Sequence, residues 1–288
     1  MLVKKVFLLC AAVCAAVFMC SCGAETELPE NTVYTTFYAM YDLTSEIAGD
    51  KMNVVQLVPS GSGPHDFEPT AADIAAVSES KALVYCGSVD TYIGGIRETV
   101  EKSGVRTLDT ANGVDIAKDA KDPHIWLDPS IALEQYTAIS DMLSEIDPDN
   151  SAYYSERLAT AAENINELQR EIDTLKSTAH KNDIIVSHAA YGYLCNCIGI
   201  EQHAIEGGSG DGSDPTAKQM AELIEFAGEN DIRIIFAQRN ESDRAARAMA
   251  EEIGGDVLLL DPLEADTGSG GYFEVMQQNI QALGTALE

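Results

Sequence analysis

The chain has 288 residues, a formal net charge of −29 and 45% hydrophobic residues, the balance of a globular protein with a strongly acidic surface. Such a surface repels phosphate backbones and anionic headgroups, which argues against nucleic-acid binding, where clustered Lys and Arg are needed. Its attraction for cations is screened within about 8–10 Å at ordinary ionic strength, so charge alone confers no metal selectivity.

At the N-terminus, Lys4 and Lys5 precede an apolar run from Val6 to Met19, the pattern of a secretory signal peptide, here residues 1–21. The run is short for a membrane span of about 20 residues. Ser21-Cys22-Gly23 resembles a bacterial lipoprotein cleavage site, with Cys22 as the lipidated first residue of the mature chain and Cys20 as the weaker alternative. The expectation is a chain anchored at the outer face of the bacterial cell membrane by a polar tether, residues 22–31. Removing Lys4 and Lys5 leaves a mature charge of about −31. Of the seven cysteines, Cys86, Cys195 and Cys197 then remain, an odd set that makes no disulfide framework. Buried or reduced thiols are expected, with a Cys195-x-Cys197 metal site as the alternative.

Downstream, Val33–Phe37 reads as a strand, Met40 to Ile47 as a helix and Val54–Val58 as a second strand. A Gly/Ser/Pro loop, 59–64, leads to His65. Glu68 as cap and Pro69 as first helical residue are expected to open the next helix, followed by a strand from Ala82 to Tyr85. Asp147 and Pro148 are expected to start the longest helix in the same way. Its apolar residues Tyr154, Leu158, Ala161, Ile165, Leu168, Ile172 and Leu175 alternate steps of four and three, giving one apolar face. Lys176, His180 and Lys181 favour its negative end. At about 30 residues, on the order of 45 Å, it is better suited to a strut packed across two lobes than to a coiled coil.

Asp214-Pro215-Thr216-Ala217 opens a helix through Phe226 before the strand Ile232–Phe236, echoing Glu68-Pro69-Thr70-Ala71 before Leu83–Tyr85. The echo points to two similarly built lobes. The predicted fold is α/β, with mostly parallel sheets flanked by helices: an N-terminal lobe over 32–146, a linking helix over 147–181 and a C-terminal lobe over 182–288. Gly207–Asp214 lacks the Lys-Ser/Thr of a P-loop and the terminal Glu of an EF-hand, so it reads as a surface connection, as does Gly268–Gly271.

Three of the five histidines, His65, His124 and His188, lie roughly 60 residues apart, each at the end of an apolar, strand-like run and beside turn residues. His180 and His203 lack that context. Three imidazoles and one carboxylate would close a tetrahedral shell around Zn²⁺. Leu258-Leu259-Leu260-Asp261-Pro262-Leu263-Glu264 offers two acids for it, Asp261 and Glu264, beyond the carboxyl end of a strand, where α/β sheets gather ligands. Asp66, Asp122 and Asp128 are candidate acceptors for imidazole N–H groups, Asp128 reading mainly as a helix cap before Pro129.

Pro64-His65-Asp66-Phe67-Glu68-Pro69-Thr70, Asp122-Pro123-His124-Ile125-Trp126-Leu127-Asp128-Pro129, Ser187-His188-Ala189-Ala190-Tyr191-Gly192-Tyr193-Leu194 and Asp261-Pro262-Leu263-Glu264 resemble the successive motifs of the zinc/manganese solute-binding lipoproteins of ABC importers (cluster A-I, zinc-type). The resemblance runs in order over nearly the whole mature chain. It implies two α/β lobes joined by one long helix, with the ion between them, His65 and His124 from the first lobe and His188 plus an acid from the second. It also implies an ABC permease and its ATPase as partners, a monomer, Zn²⁺ as cargo with Mn²⁺ second, and no catalysis. Several zinc members close the shell with a glutamate near the place of Glu264, manganese members with an aspartate near that of Asp261, and this chain has both. Ala111–Lys121 contains no histidine, so the histidine-rich capturing loop of many zinc members is not expected. Phe236-Ala237-Gln238-Arg239-Asn240 is less acidic than its counterpart in relatives.

Two rival readings are a secreted zinc hydrolase built on the same three histidines and a surface adhesin. The first lacks a His-Glu-x-x-His helix, a Gly-x-Ser-x-Gly elbow and an evident general base, and the second leaves the histidines unexplained. Metal affinity is expected to fall as pH drops through the range of free imidazole, about 6.5.

Overall fold

The computed structural model describes residues 30–65, 67–90, 92–114, 122–206, 215–239 and 241–288. The signal peptide, Cys22, most of the tether, Asp66 and the Gly207–Asp214 loop lie outside the described residues.

Among the described residues, two four-stranded parallel sheets form the frame. The first contains β1 (Thr32–Thr35), β2 (Asn53–Gln56), β3 (Ala82–Tyr85) and β4 (Arg106–Asp109), in the order β2-β1-β3-β4. The second contains β5 (Asp183–Val186), β6 (Glu201–Ala204), β7 (Ile234–Gln238) and β8 (Asp256–Leu260), in the equivalent order β6-β5-β7-β8. Each chain path runs to one side of its first strand and then switches to the other, which opens a crevice beyond the strand ends. The two lobes therefore share one topology, as the internal echo in the sequence implied.

The helices are α1 (Tyr38–Ala48), α2 (Ala71–Ser78), α3 (Ile93–Lys102), α4 (Pro129–Ile146), α5 (Ser151–Thr178), α6 (Gly192–Ile198), α7 (Ala217–Glu229), α8 (Arg244–Ile253) and α9 (Tyr272–Leu287). The paired segments that open α2 and α7 start later than the sequence reading placed them. Thr70, not Glu68, caps α2, and Thr216 caps α7. Each threonine side chain accepts from the backbone of the third helical residue, whose own side chain, Asp73 or Gln219, accepts in return from the threonine backbone. This reciprocal box satisfies two orphan donors at once, so the proline stays outside the helix. A similar correction applies to α5. Pro148–Asn150 forms a 3-10 turn, and Asp147 precedes that turn without a side-chain cap bond; its carboxylate accepts instead from the Tyr154 hydroxyl at 2.7 Å and from Asn150 Nδ2 at 2.8 Å. Asp128 does cap α4, accepting from Ser130 N at 2.8 Å.

Alternation along the strands sorts the side chains into three cores. Tyr34, Leu83 and Tyr85 face the outer helices α2 and α3. Ile185, Ile235 and Ala237 face α7 and α8. Val33, Val84, Ile184, Val186 and Phe236 point inward to a central layer built from α1, α4, α5 and α9. In α5, Tyr154, Ala161, Ile165, Leu168, Ile172 and Leu175 are buried and Leu158 is half-buried, so the predicted apolar face is the one that packs. It lies against α1 and α4 of the first lobe and α6 and α9 of the second. The central core is continuous from Val33 to Leu287, and α9 packs on α1 as well as on its own lobe.

Polar contacts join the lobes too. Trp126 Nε1 donates to Pro262 O at 2.8 Å, the Tyr272 hydroxyl to Trp126 O at 2.8 Å, and Tyr272 N to Asp42 Oδ2 at 2.7 Å. Burial pushes the Asp42 carboxyl up to about 6 despite that last bond. Cys86, Cys195 and Cys197 are free thiols, and none belongs to a cluster of metal donors among the described residues. No described helix is long and apolar enough to cross a membrane.

A shared core makes the lobes one cooperative unit. Leu168→Ala should lower stability by about 2–5 kcal/mol in a single transition. Urea unfolding of the metal-free protein, followed by fluorescence of the sole tryptophan, Trp126, and by far-UV circular dichroism, should give coincident curves. Separate transitions would mean that the lobes unfold independently.

Candidate metal centre

Four side chains from distant parts of the chain converge in the crevice between the sheets. His65, His124, His188 and Glu264 each offer a ligand atom, and these atoms lie within 4.8 Å of one another. His65 Nε2 is 2.7 Å and His124 Nε2 2.8 Å from the same oxygen, Glu264 Oε1. The three imidazole centroids are 5.4–5.9 Å apart. His188 Nε2 is buried and has no hydrogen-bond partner among the described residues.

Only two of the four follow a strand closely. His188 comes two residues after β5, and Glu264 sits on the turn after β8. His65 stands at the end of the 57–64 loop. His124 differs from the expectation: the described residues before it, Asp122 and Pro123, are not in a strand, and a 3-10 turn, Ile125–Leu127, follows it and carries the chain into α4. That turn is fixed by burial of all three of its side chains, with Trp126 4.8 Å from the Phe37 ring and 5.2 Å from the His124 ring.

Each buried imidazole has its far nitrogen held by an acid. Asp122 Oδ1 accepts from His124 Nδ1 at 2.6 Å and from His124 N at 2.9 Å. The other oxygen, Oδ2, accepts from Gly192 N at 2.7 Å, across the lobe boundary. A Cβ on Gly192 would lie 2.6 Å from that oxygen, so glycine is what permits the approach. Glu206 Oε2 accepts from His188 Nδ1 at 2.9 Å. Holding Nδ1–H in this way turns the Nε2 lone pair toward the centre. Of the acids expected in this role, Asp122 fills it, Asp128 is a cap, and Asp66 is outside the described residues. Glu206 and Gln238 escaped the sequence reading, Glu206 because no local pattern links it to a histidine 18 residues earlier. The Gln238 side chain donates to Glu264 Oε2 at 3.2 Å.

Asp261 is near the centre but is turned away from it. Its Oδ1 accepts from Leu263 N at 2.9 Å and its Oδ2 from the Thr267 hydroxyl at 2.6 Å. Asn279 brackets its backbone on both sides. These bonds shape a tight turn in which Leu263, fully buried, takes φ +62°, a left-handed conformation that costs a branched residue of order 1–3 kcal/mol. The strained turn aims Glu264 inward.

The electrostatics are those of a site short of positive charge. Burial resists ionisation of Glu264, yet the imidazoles of His124 and His65 outweigh it and hold the carboxyl far below the usual range. Burial would also lower His124, but Asp122 and Glu264 on either side raise it to about 9. His188 moves upward for the same reason, through Glu206, against its own burial. Without a cation, protons must fill the space between lone pairs. A single divalent ion bound by the four atoms would replace them, and the orphaned His188 Nε2 fits that role. The side chain of His65 is 39% exposed and that of His124 1%, so the centre opens to solvent on the His65 side.

Comparison with known proteins follows the same lines. The zinc-binding lipoprotein AdcA of Streptococcus pneumoniae is 31% identical over 97% of this chain, and the chain spans 60% of that relative's length. The high-affinity zinc uptake system protein ZnuA of Bacillus subtilis is 30% identical, over 92% of this chain and 90% of its own length. Among solved structures, the Zn(II)-bound ZnuA-like domain of S. pneumoniae AdcA superposes with a TM-score of 0.81 at 30% identity, covering 90% of this chain and 99% of that one. The laminin-binding protein Lmb of Streptococcus agalactiae, described as a bifunctional protein with adhesin and metal-transporting activity, gives 0.82 at 29% identity over 90% and 100%. The sequence model of the family described as ZnuA, zinc-uptake complex component A, periplasmic, matches residues 33–286, and this chain belongs to that family.

Proposed function

We propose that this protein captures Zn²⁺ outside the cytoplasm, between its two lobes, and delivers it to an ABC-type permease driven by its ATPase. The ligands are His65, His124, His188 and Glu264, the last in preference to Asp261, whose carboxylate is committed to its own turn. The observation that carries the reading is the buried, unpartnered Nε2 of His188, grouped with two other imidazole nitrogens around one ionised carboxylate. Three nitrogens and one oxygen suit Zn²⁺ better than Mn²⁺, which prefers more oxygen donors.

In this reading the ion is cargo. Four protein donors leave no open position for a reactive water, the feature that separates a closed zinc site from a hydrolytic one, so no catalysis is assigned. All four donors come from one chain, so a monomer suffices. Cys22 carries the lipid that keeps the protein beside its permease. An adhesin alone would have no use for the convergent imidazoles.

Isothermal titration of the metal-free mature protein should give tight 1:1 binding of Zn²⁺. A His65→Ala/His188→Ala double variant should lose it by several orders of magnitude while staying folded. Weak binding by the unaltered chain, or unchanged binding by the variant, would sink the proposal.

The pH dependence should extend to higher pH than free imidazole suggests. His124 is raised to about 9 and His188 is also raised, so binding must displace protons throughout the neutral range. Apparent affinity should rise with pH up to about 9 and fall on acidification by roughly tenfold to a hundredfold per unit. Trp126, beside the His124 ring, supplies a fluorescence readout. A response confined to the range around pH 6.5 would show that the flanking acids do not act as described.

A further inference from the structure

Gln238 closes β7, paired with Leu260 of β8 just before the turn that carries Glu264. Its side chain is almost fully buried. The backbone N–H donates to Ser187 Oγ at 2.9 Å, so the residue is latched to the segment that presents His188. Its amide Nε2 donates to Glu264 Oε2 at 3.2 Å, while its Oε1 is buried without a hydrogen-bond partner among the described residues. A buried unpaired carbonyl is costly. The opposite orientation of the amide would set that oxygen against an ionised carboxylate, which is worse. The demand for a donor at Glu264 therefore decides how the amide lies.

The two oxygens of Glu264 have separate tasks. Oε1 faces His65 and His124, and Oε2 is occupied by the amide. We propose that Gln238 is a positioning residue that sets the coordination number of the ion: by holding Oε2 it leaves Glu264 one oxygen to give, and so fixes four donors instead of five. The proposal rests on the ligand set assigned above. A closed four-donor shell matches the tetrahedral preference of Zn²⁺, whereas Mn²⁺ favours octahedral, oxygen-rich sites. A cavity of about 80 Å³ lined by both Gln238 and Glu264, with Glu241 and Asp261 nearby on its wall, gives the carboxylate room to turn once the amide is gone. Metal choice is then governed by a side chain that does not touch the metal.

Gln238→Leu keeps the bulk and removes the donor. Gln238→Asn keeps the amide but is one methylene too short to reach Oε2, which guards against misfolding of the leucine variant. Both should be titrated with Co²⁺, Zn²⁺ and Mn²⁺ alongside the unaltered chain. Co²⁺ in the unaltered chain should show the intense visible bands of a tetrahedral ion. In the variants those bands should weaken as a fifth donor joins, and the ratio of Zn²⁺ to Mn²⁺ affinity should fall roughly tenfold or more. General loosening of the fold would weaken all three ions without changing the Co²⁺ geometry, and that result overturns the proposal. So does a variant with an unchanged spectrum and an unchanged ratio. If the unaltered chain binds none of the ions, the ligand set itself fails, an outcome distinct from failure of the role given to Gln238.

Discussion

The structure turns on one buried carboxylate. Glu264 is 4% exposed, ionised, and shared between two imidazoles of the other lobe at hydrogen-bond distance. A charge in that position is costly unless it is matched, and the residues around it are arranged to match it from several sides. Asp122 and Glu206 orient imidazoles toward it, the Gln238 amide covers its second oxygen, and the Asp261 turn, with Leu263 held at φ +62°, delivers it to the centre. The acids behind the imidazoles add further negative charge. The result is a pocket whose donor chemistry suits a small cation.

Precision at the centre depends on the packing around it, because its donors come from opposite lobes. A hinge moving freely would change the His124–Glu264 separation by more than a metal site tolerates. The central core removes that freedom by running without interruption through both lobes, with α5 and α9 spanning the boundary. Trp126 links packing and site most directly. Its indole donates to the Pro262 carbonyl, two residues before Glu264, while its ring lies beside His124, so the same side chain braces one side chain of the centre and the turn that carries another.

Much of this was legible in the sequence. Strand and helix alternation gave the parallel α/β lobes, and the steps of four and three in Tyr154 to Leu175 gave the buried face of α5, because both follow from the fixed periods of backbone geometry. The histidines stood out through their rarity and spacing. What sequence could not resolve was anything decided by competition between nearby groups. Glu68 and Asp147 looked like caps, but Thr70 formed the better hydrogen-bond box and Asp147 found Tyr154. Asp261 and Glu264 are three residues apart with the same charge, and which of them faces the histidines is set by Thr267, Asn279 and the backbone of Leu263. Glu206 and Gln238 carried no signal because their relation to the centre exists only after β5, β6, β7 and β8 have paired.

The competition between protons and metal also separates this centre from a structural zinc site. In a small zinc domain the ion supplies the folding energy, and its removal unfolds the chain. Here the three cores are built from apolar side chains that lie outside the candidate centre. Binding energy is then not consumed in folding the chain. It is reduced instead by the protons that must leave His124 and His188, so the acids that orient these rings also weaken the net affinity at neutral pH by raising their basicity.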